Sequence, residues 1–329
     1  MKLANPFFLR PKDCPRAWTD LDGVLSLKDV TAALGAPDNQ HRLLVAELAG
    51  GKVMGELKLA LTRTGRAVGG VQALVGEWRP ESHPSLRRFN LRIARRRRGR
   101  ALLLGTKESG NYYHWMLDCL PRWKLLVEAG FKDYDHVLLT TDTKSFSKDI
   151  LDRLGVPVAK RLSCSTLFLH EFDQLVVPAM PFPKWEVAAW TCEWVSSLFN
   201  ERNAHSPERI YISRRAAKKR RLLNEAELEA RLADRGFQIV RTEQLSVAEQ
   251  SALFRRARCV VAPHGAGLTN LIFCPKETQL VELKPPQYYK PPCFQNLALA
   301  CGFAYARITG QAGNDFDYEI DVQKVLDMV

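Results

Sequence analysis

The stretch Cys259-Val-Val-Ala-Pro-His-Gly-Ala-Gly-Leu-Thr-Asn270 runs from an apolar strand directly into a glycine-rich turn and then a helix. Such a turn leaves backbone N–H groups at a helix N-terminus, where the positive end of the helix dipole favours a phosphate or diphosphate. Gly265 and Gly267 permit a close ligand approach that a Cβ would block. The pattern resembles G-x-G-x-x-G but ends in Asn270. A tight turn without a ligand therefore stays an alternative.

Around this stretch, short apolar runs alternate with helical segments. Strands are predicted at 101–104, 136–140, 209–212, 237–240, 259–262 and 279–283. Capping-box spacings at Asn224/Glu227 and Ser246/Glu249 predict two of the helix starts. This alternation favours βαβ units and a parallel sheet, so the fold class is α/β.

Composition is that of a globular protein, with 46% hydrophobic and 26% charged residues. The apolar runs are too short to cross a bilayer. Charged residues interrupt the N-terminal segment early, so we expect no signal peptide, no membrane anchor and a cytoplasmic protein. The eight cysteines form no CxxC pair, which favours free thiols over disulfides or a zinc site.

The formal net charge of +12 is concentrated in two clusters, Arg87 to Arg100 and Arg209 to Arg221. The first cluster is either a solvated loop or edge strand, or a contact with an anionic membrane face, nucleic acid or acidic polymer. Only Phe89 interleaves with its arginines, and no nucleic-acid-binding motif is present, so we expect no nucleic-acid partner. Peripheral association with an anionic membrane stays open.

Polar residues follow the strands of the second half. Arg214 and Arg215 come after the strand 209–212, and the planar guanidinium fork matches phosphate oxygens. We expect one of the two to face a ligand, and interpret the basic run 218–221 as a solvated loop. Glu282, at a strand end, is placed to hydrogen-bond ribose hydroxyls. Its alternative role is a salt bridge to Lys284 or a nearby arginine.

The segment Gly110-Asn-Tyr-Tyr-His-Trp-Met-Leu-Asp-Cys-Leu-Pro-Arg122 predicts a helix with Asn111 as its N-cap. His114 and Asp118 then share one face, a spacing that suits a general base and its partner. The proline lacks an N–H and is expected to end or kink the helix. The alternative is that Asp118 pairs with Arg122 while His114 merely fills its helix face.

Together these motifs resemble glycosyltransferase family 61 over roughly residues 100 to 285. The N-terminal-half motif is 111–122. The C-terminal-half motifs follow in the family's order: Ile210-Tyr-Ile-Ser-Arg-Arg215, Asn224-Glu225, Gly236-Phe237, Glu249-Gln250 and His264-Gly-Ala-Gly-Leu-Thr-Asn-Leu-Ile-Phe273.

The resemblance implies a GT-B-like fold, with two Rossmann-like domains facing a cleft. A polar boundary near 203–207 divides the chain into an acceptor-side domain, 1–205, and a nucleotide-sugar domain, 206–309. The first hundred residues are expected to be irregular and β-rich. A C-terminal helix within 310–329 is expected to pack back on the first domain.

The implied activity is inverting transfer of a sugar from a nucleoside-diphosphate donor, expected to be UDP-linked, to a saccharide or glycolipid acceptor. Asp118 is the expected base, with His114 as its neighbour or the alternative base. The donor-binding residues are expected to be Arg214, Arg215, His264, Gly265, Ala266, Gly267, Thr269, Asn270 and Glu282. The acceptor-side residues are expected to be Asn111, Tyr113 and Arg122.

Bacterial members of the family look like capsular or surface polysaccharide enzymes, and the expected lack of an anchor favours that type. No metal or other cofactor is expected, because no DxD-type motif ends a strand convincingly. Two other classes fit part of the pattern. An NAD-dependent oxidoreductase would use the same glycine-rich turn. A non-catalytic binder of an anionic polymer would rest on the arginine run, and its binding would be strongly salt-dependent.

Overall fold

The computed structural model describes residues 23–34, 42–54, 59–66, 68, 93–140, 144–165, 168–182, 186–287, 292–313 and 316–329. The predicted α/β class is confirmed, since helices alternate with parallel strands. The chain divides into two compact units, Met1–Lys184 and Trp185–Val329. No helix in the described ranges is both long and apolar enough to cross a bilayer.

The first unit contains a mixed sheet. Its described strands are β1 Val24–Asp29, β2 Leu44–Ala49, β3 Lys52–Met54, β4 Leu59–Leu61, β5 Ile93–Leu103, β6 His136–Thr140, β7 Arg161–Cys164 and β8 Phe168–Pro178. The order is β1-β2-β8-β5-β6-β7, and β3 joins β8 and β4. The strands β8, β5, β6 and β7 are parallel to their neighbours in that order. The β1, β2 and β3 pairings are antiparallel.

The arginine run lies partly in this sheet. Residues 87–92 are outside the described part of the chain, and the rest form the first half of β5, where most of the arginine side chains are exposed. Within the described residues, 93–97 pair only with β8, because β6 joins β5 from Ala101 onward. This half therefore fits the interpretation as a solvated edge strand, where charge opposes pairing with other chains.

The helical segment after β5 continues past its proline. It comprises an α-turn at Tyr112–His114, a π-helical turn at Trp115–Cys119 and an α-helix at Leu120–Glu128. Leu120 donates its N–H to the carbonyl of Trp115, five residues back. Pro121 follows this wider turn at the start of the next α-helix, where a missing N–H is tolerated. Of the two outcomes predicted for Pro121, an end or a kink, the end does not occur, and a π-helical turn interrupts the α-helix just before the proline. The helix Ser145–Arg153 then leads to β7.

The second unit contains a fully parallel five-stranded sheet. Its strands are β9 Arg209–Ile212, β10 Gln238–Val240, β11 Cys259–Pro263, β12 Gln279–Lys284 and β13 Ala304–Thr309. The order is β10-β9-β11-β12-β13. The chain therefore moves to one side of β9 and then to the other. In such sheets, ligands bind outside the carboxyl ends of the two strands where the direction reverses, here β9 and β11.

Helices of the second unit connect these strands. The α-helices are Ala189–Ser197, Glu225–Ala233, Val247–Phe254, Cys293–Cys301 and Val322–Leu326, and the 3-10 helices are Thr242–Gln244 and Ala266–Phe273. Ser246 and Glu249 form the predicted capping box. The capping box predicted at Asn224 is absent, because its side chain instead bonds both backbone groups of Ile320.

Two features differ from the domain limits expected from the sequence. The helix Ala189–Ser197 belongs to the second unit, where Arg255 donates to the Ser196 hydroxyl at 3.1 Å and Phe199 packs against Phe273. The C-terminal helix lies in that unit's core through Val325 and Leu326. Its apolar face is thus used within the second unit.

Candidate active site

His114 and Asp118 form a hydrogen-bonded pair, as their spacing predicts. Nδ1 of His114 is 2.6 Å from Oδ2 of Asp118. The side chain of His114 is 16% exposed and that of Asp118 is 6% exposed, so the imidazole is the more accessible member. A buried carboxylate on Nδ1 orients an imidazole and stabilises its protonated form. The geometry favours His114 as the base and Asp118 as its partner, the reverse of the preferred sequence assignment.

The two other N-terminal residues of this motif support the helix. Asn111 caps it as predicted, and its side chain accepts from the N–H of Tyr113. Tyr113 is buried, and its ring meets the His114 ring edge-on at 5.3 Å between centroids. Both residues therefore position His114. Their predicted contact with an acceptor stays a prediction.

Arg122 lies in the interior rather than at an acceptor surface. It is fully buried, and its guanidinium donates to the carbonyls of Leu104, Gly105 and Pro178. These carbonyls follow β5 and end β8, so Arg122 ties together the carboxyl ends of two neighbouring strands. Burial lowers the pKa of the guanidinium to about 10. The alternative pairing of Arg122 with Asp118 is not formed, and Arg122 has no exposed atom to offer an acceptor.

Replacing Arg122 by Met is expected to lower the free energy of unfolding by about 3 kcal/mol, because three buried carbonyls lose a charged donor. Denaturant unfolding followed by tryptophan fluorescence measures this. The control is Lys124→Met on the same helix, where a surface ion pair with Glu128 is lost, at a cost of about 0.5 kcal/mol or less. Equal effects of the two substitutions would contradict the bracing role of Arg122.

Arg214 and Gly265 meet at the carboxyl ends of β9 and β11. The Arg214 guanidinium lies so close to Gly265 that a Cβ there would overlap Nη1 and stand 2.9 Å from Cζ. Gly265 has extended backbone angles that any residue adopts. The reason for a glycine here is therefore the position of the Arg214 side chain, which leaves no room for a Cβ. Within the described residues, the guanidinium forms no ion pair, and its buried Nε has no hydrogen-bond partner.

Arg215 turns away from this position. It is exposed, and its Nη1 lies 3.4 Å from the carboxylate of Glu229 on the following helix. Of the two arginines that the sequence left as alternatives, Arg214 faces the glycine-rich turn. Glu225, to which the sequence gave no role, is buried and accepts from the N–H of Arg214 at 2.6 Å and from the Tyr211 hydroxyl at 3.0 Å. Glu225 therefore fixes the backbone of Arg214, just after β9 ends.

His264 is held by a buried hydrogen-bond chain. Its Nδ1 is 2.5 Å from Oε1 of Glu282, and the Tyr305 hydroxyl donates to Oε2 of the same carboxylate at 2.7 Å. Glu282 is 1% exposed, so its carboxylate serves the protein interior. The predicted contact of Glu282 with ribose stays a prediction, and the hydrogen bonds seen here go to His264 and Tyr305. Tyr305 was missed because nothing in the local sequence marks it.

The remaining residues of the turn support its shape. A Cβ on Gly267 would stand 2.9 Å from the Thr242 hydroxyl and 3.1 Å from Ile212, so close packing within the protein requires this glycine. Thr269 and Asn270 are fully buried, and the Asn270 amide donates to Gln250 and to the Gly267 carbonyl. Asn270 thereby holds the turn against the helix Val247–Phe254, and neither residue presents a side chain to the surface. Ala266, half-buried, lies at the helix start with its backbone N–H.

Burial and neighbouring charges shift the pKa values of two groups at the edge that carries Arg214. Burial, followed by the charge of Arg220, lowers the pKa of Arg214. Burial also lowers the pKa of His264, with Lys284 and Arg220 adding to the effect and Glu282 opposing it. Arg220 thus acts on both groups, while the carboxylates of Glu225 and Glu243 oppose its effect on Arg214.

Two other features of the described residues do not contribute to this site. A cavity of about 810 Å³ in the second unit is lined by the helix Ala189–Ser197, Arg255 and the end of the helix Cys293–Cys301. None of the predicted donor residues lines it. No group of three or more His, Cys, Asp or Glu side chains in the described ranges could hold a metal ion. Independence from metal stays a prediction.

Comparison with known families assigns the chain. The family model described as Glycosyltransferase 61 matches residues 112–281, just over half of the sequence. The chain belongs to glycosyltransferase family 61. The match spans the His114–Asp118 pair, Arg214 and the glycine-rich turn. It ends before Glu282, so Tyr305 and the C-terminal segment lie outside it.

Two relatives that are named as glycosyltransferases support the membership in family 61. The beta-1,2-xylosyltransferase XAX1 of Oryza sativa subsp. japonica is 38% identical over 90 residues, which are 27% of this chain and 16% of that protein. The EGF domain-specific O-linked N-acetylglucosamine transferase of Drosophila melanogaster is 38% identical over 98 residues, 29% of this chain and 18% of that protein. The matched stretches span less than a fifth of either relative. Both are eukaryotic, and the bacterial surface-polysaccharide type stays a prediction.

Proposed function

We propose that this family 61 member transfers a sugar from a nucleoside diphosphate to a hydroxyl of a saccharide or glycolipid acceptor, with inversion at the anomeric carbon. The observation that carries the proposal is the Arg214 guanidinium at Gly265. It forms no salt bridge with a described carboxylate, and its buried Nε has no hydrogen-bond partner among the described residues. It stands where a doubly wound sheet binds phosphates. A diphosphate leaving group would complete its hydrogen bonds.

In the proposed reaction, the acceptor oxygen attacks the anomeric carbon while His114 takes its proton, with Asp118 stabilising the imidazolium. The bond from the anomeric carbon to the diphosphate breaks, and the diphosphate leaves with the electron pair. Arg214 and the backbone N–H groups at the start of the helix Ala266–Phe273 stabilise the charge that develops there. Glu282 and Tyr305 orient His264 beside the leaving group.

Several finer features belong to the same proposal. UDP is the proposed carrier, and no metal is required, because Arg214, Arg220 and Lys284 supply positive charge. A GT-B fold is proposed for the whole chain, supported by the parallel strands of both units. A role in surface polysaccharide synthesis at the cytoplasmic side is proposed from the sequence resemblance. Peripheral membrane association is proposed from the exposed arginines of β5.

The NAD-dependent alternative loses its main structural support. In a dinucleotide site, an acidic residue after the second strand holds the ribose hydroxyls. Here the candidate carboxylate, Glu282, is buried and bound to His264 and Tyr305. NAD is therefore kept as a competitor in the binding test rather than as a second proposal.

The test is calorimetric titration of the purified protein with UDP, GDP, CMP and NAD, with EDTA present and then with Mg²⁺ or Mn²⁺. We expect UDP to bind without metal and NAD not to bind. UDP-xylose and UDP-N-acetylglucosamine, the sugars that the relatives' names point to, are then assayed with saccharide acceptors. The anomeric configuration of the product is read by NMR. Binding of NAD without any nucleoside diphosphate would overturn the proposal.

A further inference from the structure

The loop that joins β9 to the helix Glu225–Ala233 contains an unusual backbone conformation. Arg220 has φ of +56°, in the left-handed region that residues with bulky side chains rarely adopt. Such a conformation is retained only where the surrounding structure imposes it, and it is common at ligand-binding positions. From sequence, Arg220 belongs to a basic run interpreted as solvated. Its backbone shows a more constrained residue.

The constraint comes from the C-terminal segment. Asp317 is buried, and its carboxylate accepts from the backbone N–H of Arg221 at 2.7 Å and from its Nε at 2.8 Å. Tyr318 adds two backbone hydrogen bonds, donating to the carbonyl of Arg221 and accepting from the N–H of Leu223. Both backbone groups of Arg221, the residue after Arg220, are thus hydrogen-bonded to the C-terminal segment. These contacts define the Asp317 clamp.

The clamp fixes the backbone next to Arg220 and so restricts where its side chain can lie. The Tyr318 hydroxyl also donates to the carbonyl of Leu283 at 3.1 Å, which anchors the clamp to the carboxyl end of β12, next to Glu282. The charge of Arg220 acts on Arg214 and His264, because it contributes, after burial, to the lowered pKa of each. The His264 N–H donates to the same Leu283 carbonyl, so the clamp holds the loop that carries Arg220 at the edge of the sheet where His264 lies.

We propose that Arg220 is a second guanidinium for the diphosphate of the donor, and that Asp317 is the positioning residue that holds it there. The inference rests on the proposed function and deepens it. A diphosphate has two phosphoryl groups, and the fork of one guanidinium matches the oxygens of one of them. Arg214 is fixed at the glycine-rich turn, so Arg220 supplies the second fork. Arg220 lies within the region that the family model matches, whereas Asp317 lies beyond it.

The test uses full-length protein and titration with UDP and with uridine, which lacks phosphate. Arg220→Gly removes the guanidinium and places at φ +56° the residue that adopts it most readily. We expect 10- to 100-fold weaker UDP binding, the range for loss of charge-assisted hydrogen bonds, no change with uridine, and no loss of thermal stability. Arg220→Asn, which also tolerates this conformation, is the second variant. Lys219→Asn, an exposed neighbour with the same change in charge, should bind UDP as the wild type does.

The positioning role has its own readout. Asp317→Asn should weaken UDP binding in the wild-type background and have no effect on UDP binding in the Arg220→Gly background, as expected for residues that act as one unit. A merely structural role would weaken UDP binding equally in both backgrounds and would overturn the role of Asp317. Wild-type affinity in both Arg220 variants, with affinity lost in Arg214→Ala, would overturn only the present inference. Absence of nucleoside-diphosphate binding by the wild-type protein would overturn the proposed function as well.

Discussion

The His114→Ala variant is expected to keep the wild-type affinity for UDP while kcat falls about 10²- to 10⁴-fold, the usual contribution of a positioned general base. The reason is that His114 and Asp118 have different roles, His114 as the base and Asp118 as the group that orients it. His114 is the more exposed partner, and Asp118 is buried against Nδ1. Initial-rate kinetics with a UDP-sugar, together with calorimetry for UDP, separate the two effects.

Two comparisons make this prediction decisive. Asp118→Asn should cost less than His114→Ala, because the imidazole remains as the base and loses only its orienting partner. Added imidazole should partly restore turnover in His114→Ala, since the removed ring leaves space for it. His205→Ala, at an exposed position, is the control and should turn over normally. A larger loss in Asp118→Asn, without rescue of His114→Ala, would return the role of base to Asp118.

Local patterns predict much of this fold because they record local physics. The apolar run of β11 is buried along its whole length, and its continuation into a glycine-rich turn and helix is confirmed. The cap at Asn111 and the capping box at Ser246 are confirmed for the same reason, since both involve residues two or three positions away. In each case the partners are neighbours in sequence.

Features that depend on distant partners could not be predicted. Asn224 has the spacing of a capping box, yet its side chain is taken by Ile320, 96 residues away. Arg221 is bound by Asp317 at the same separation. Tyr305 reaches Glu282 only because β13 pairs with β12 in parallel register. Local sequence patterns do not contain these long-range hydrogen bonds. The same bonds determine which polar side chains remain available to a ligand.

The glycine-rich turn shows how such a pairing changes an interpretation. From sequence, Gly265 and Gly267 leave room for a ligand. In the structure, the space at Gly265 is filled by the Arg214 guanidinium, and that at Gly267 by Thr242 and Ile212. The glycines are therefore needed by protein atoms, and at Gly265 it is the neighbouring arginine that would meet the phosphate.

The largest expected loss of donor binding is that of Arg214→Ala, about 100-fold or more for UDP, because the phosphate would lose two charge-assisted hydrogen bonds from the guanidinium. Arg214→Lys keeps the positive charge but lacks the planar fork of the guanidinium. Its affinity for UDP should therefore lie between those of the wild type and Arg214→Ala. Uridine binding should be unchanged in both variants. Calorimetry at one fixed ionic strength measures the binding of UDP and of uridine to the wild type and to both variants.

Gly265→Ala should reproduce much of this loss without touching the arginine itself. The added Cβ would overlap the end of the Arg214 side chain, which is flexible and can move at little cost to stability. The displaced guanidinium then no longer faces the turn, and UDP affinity falls while the melting temperature changes little. In the Arg214→Ala background, the same Gly265→Ala substitution should have almost no further effect on UDP binding, because the group that it displaces is gone. Additive losses in the double variant would instead show that the turn contacts the phosphate directly through Gly265, independently of Arg214.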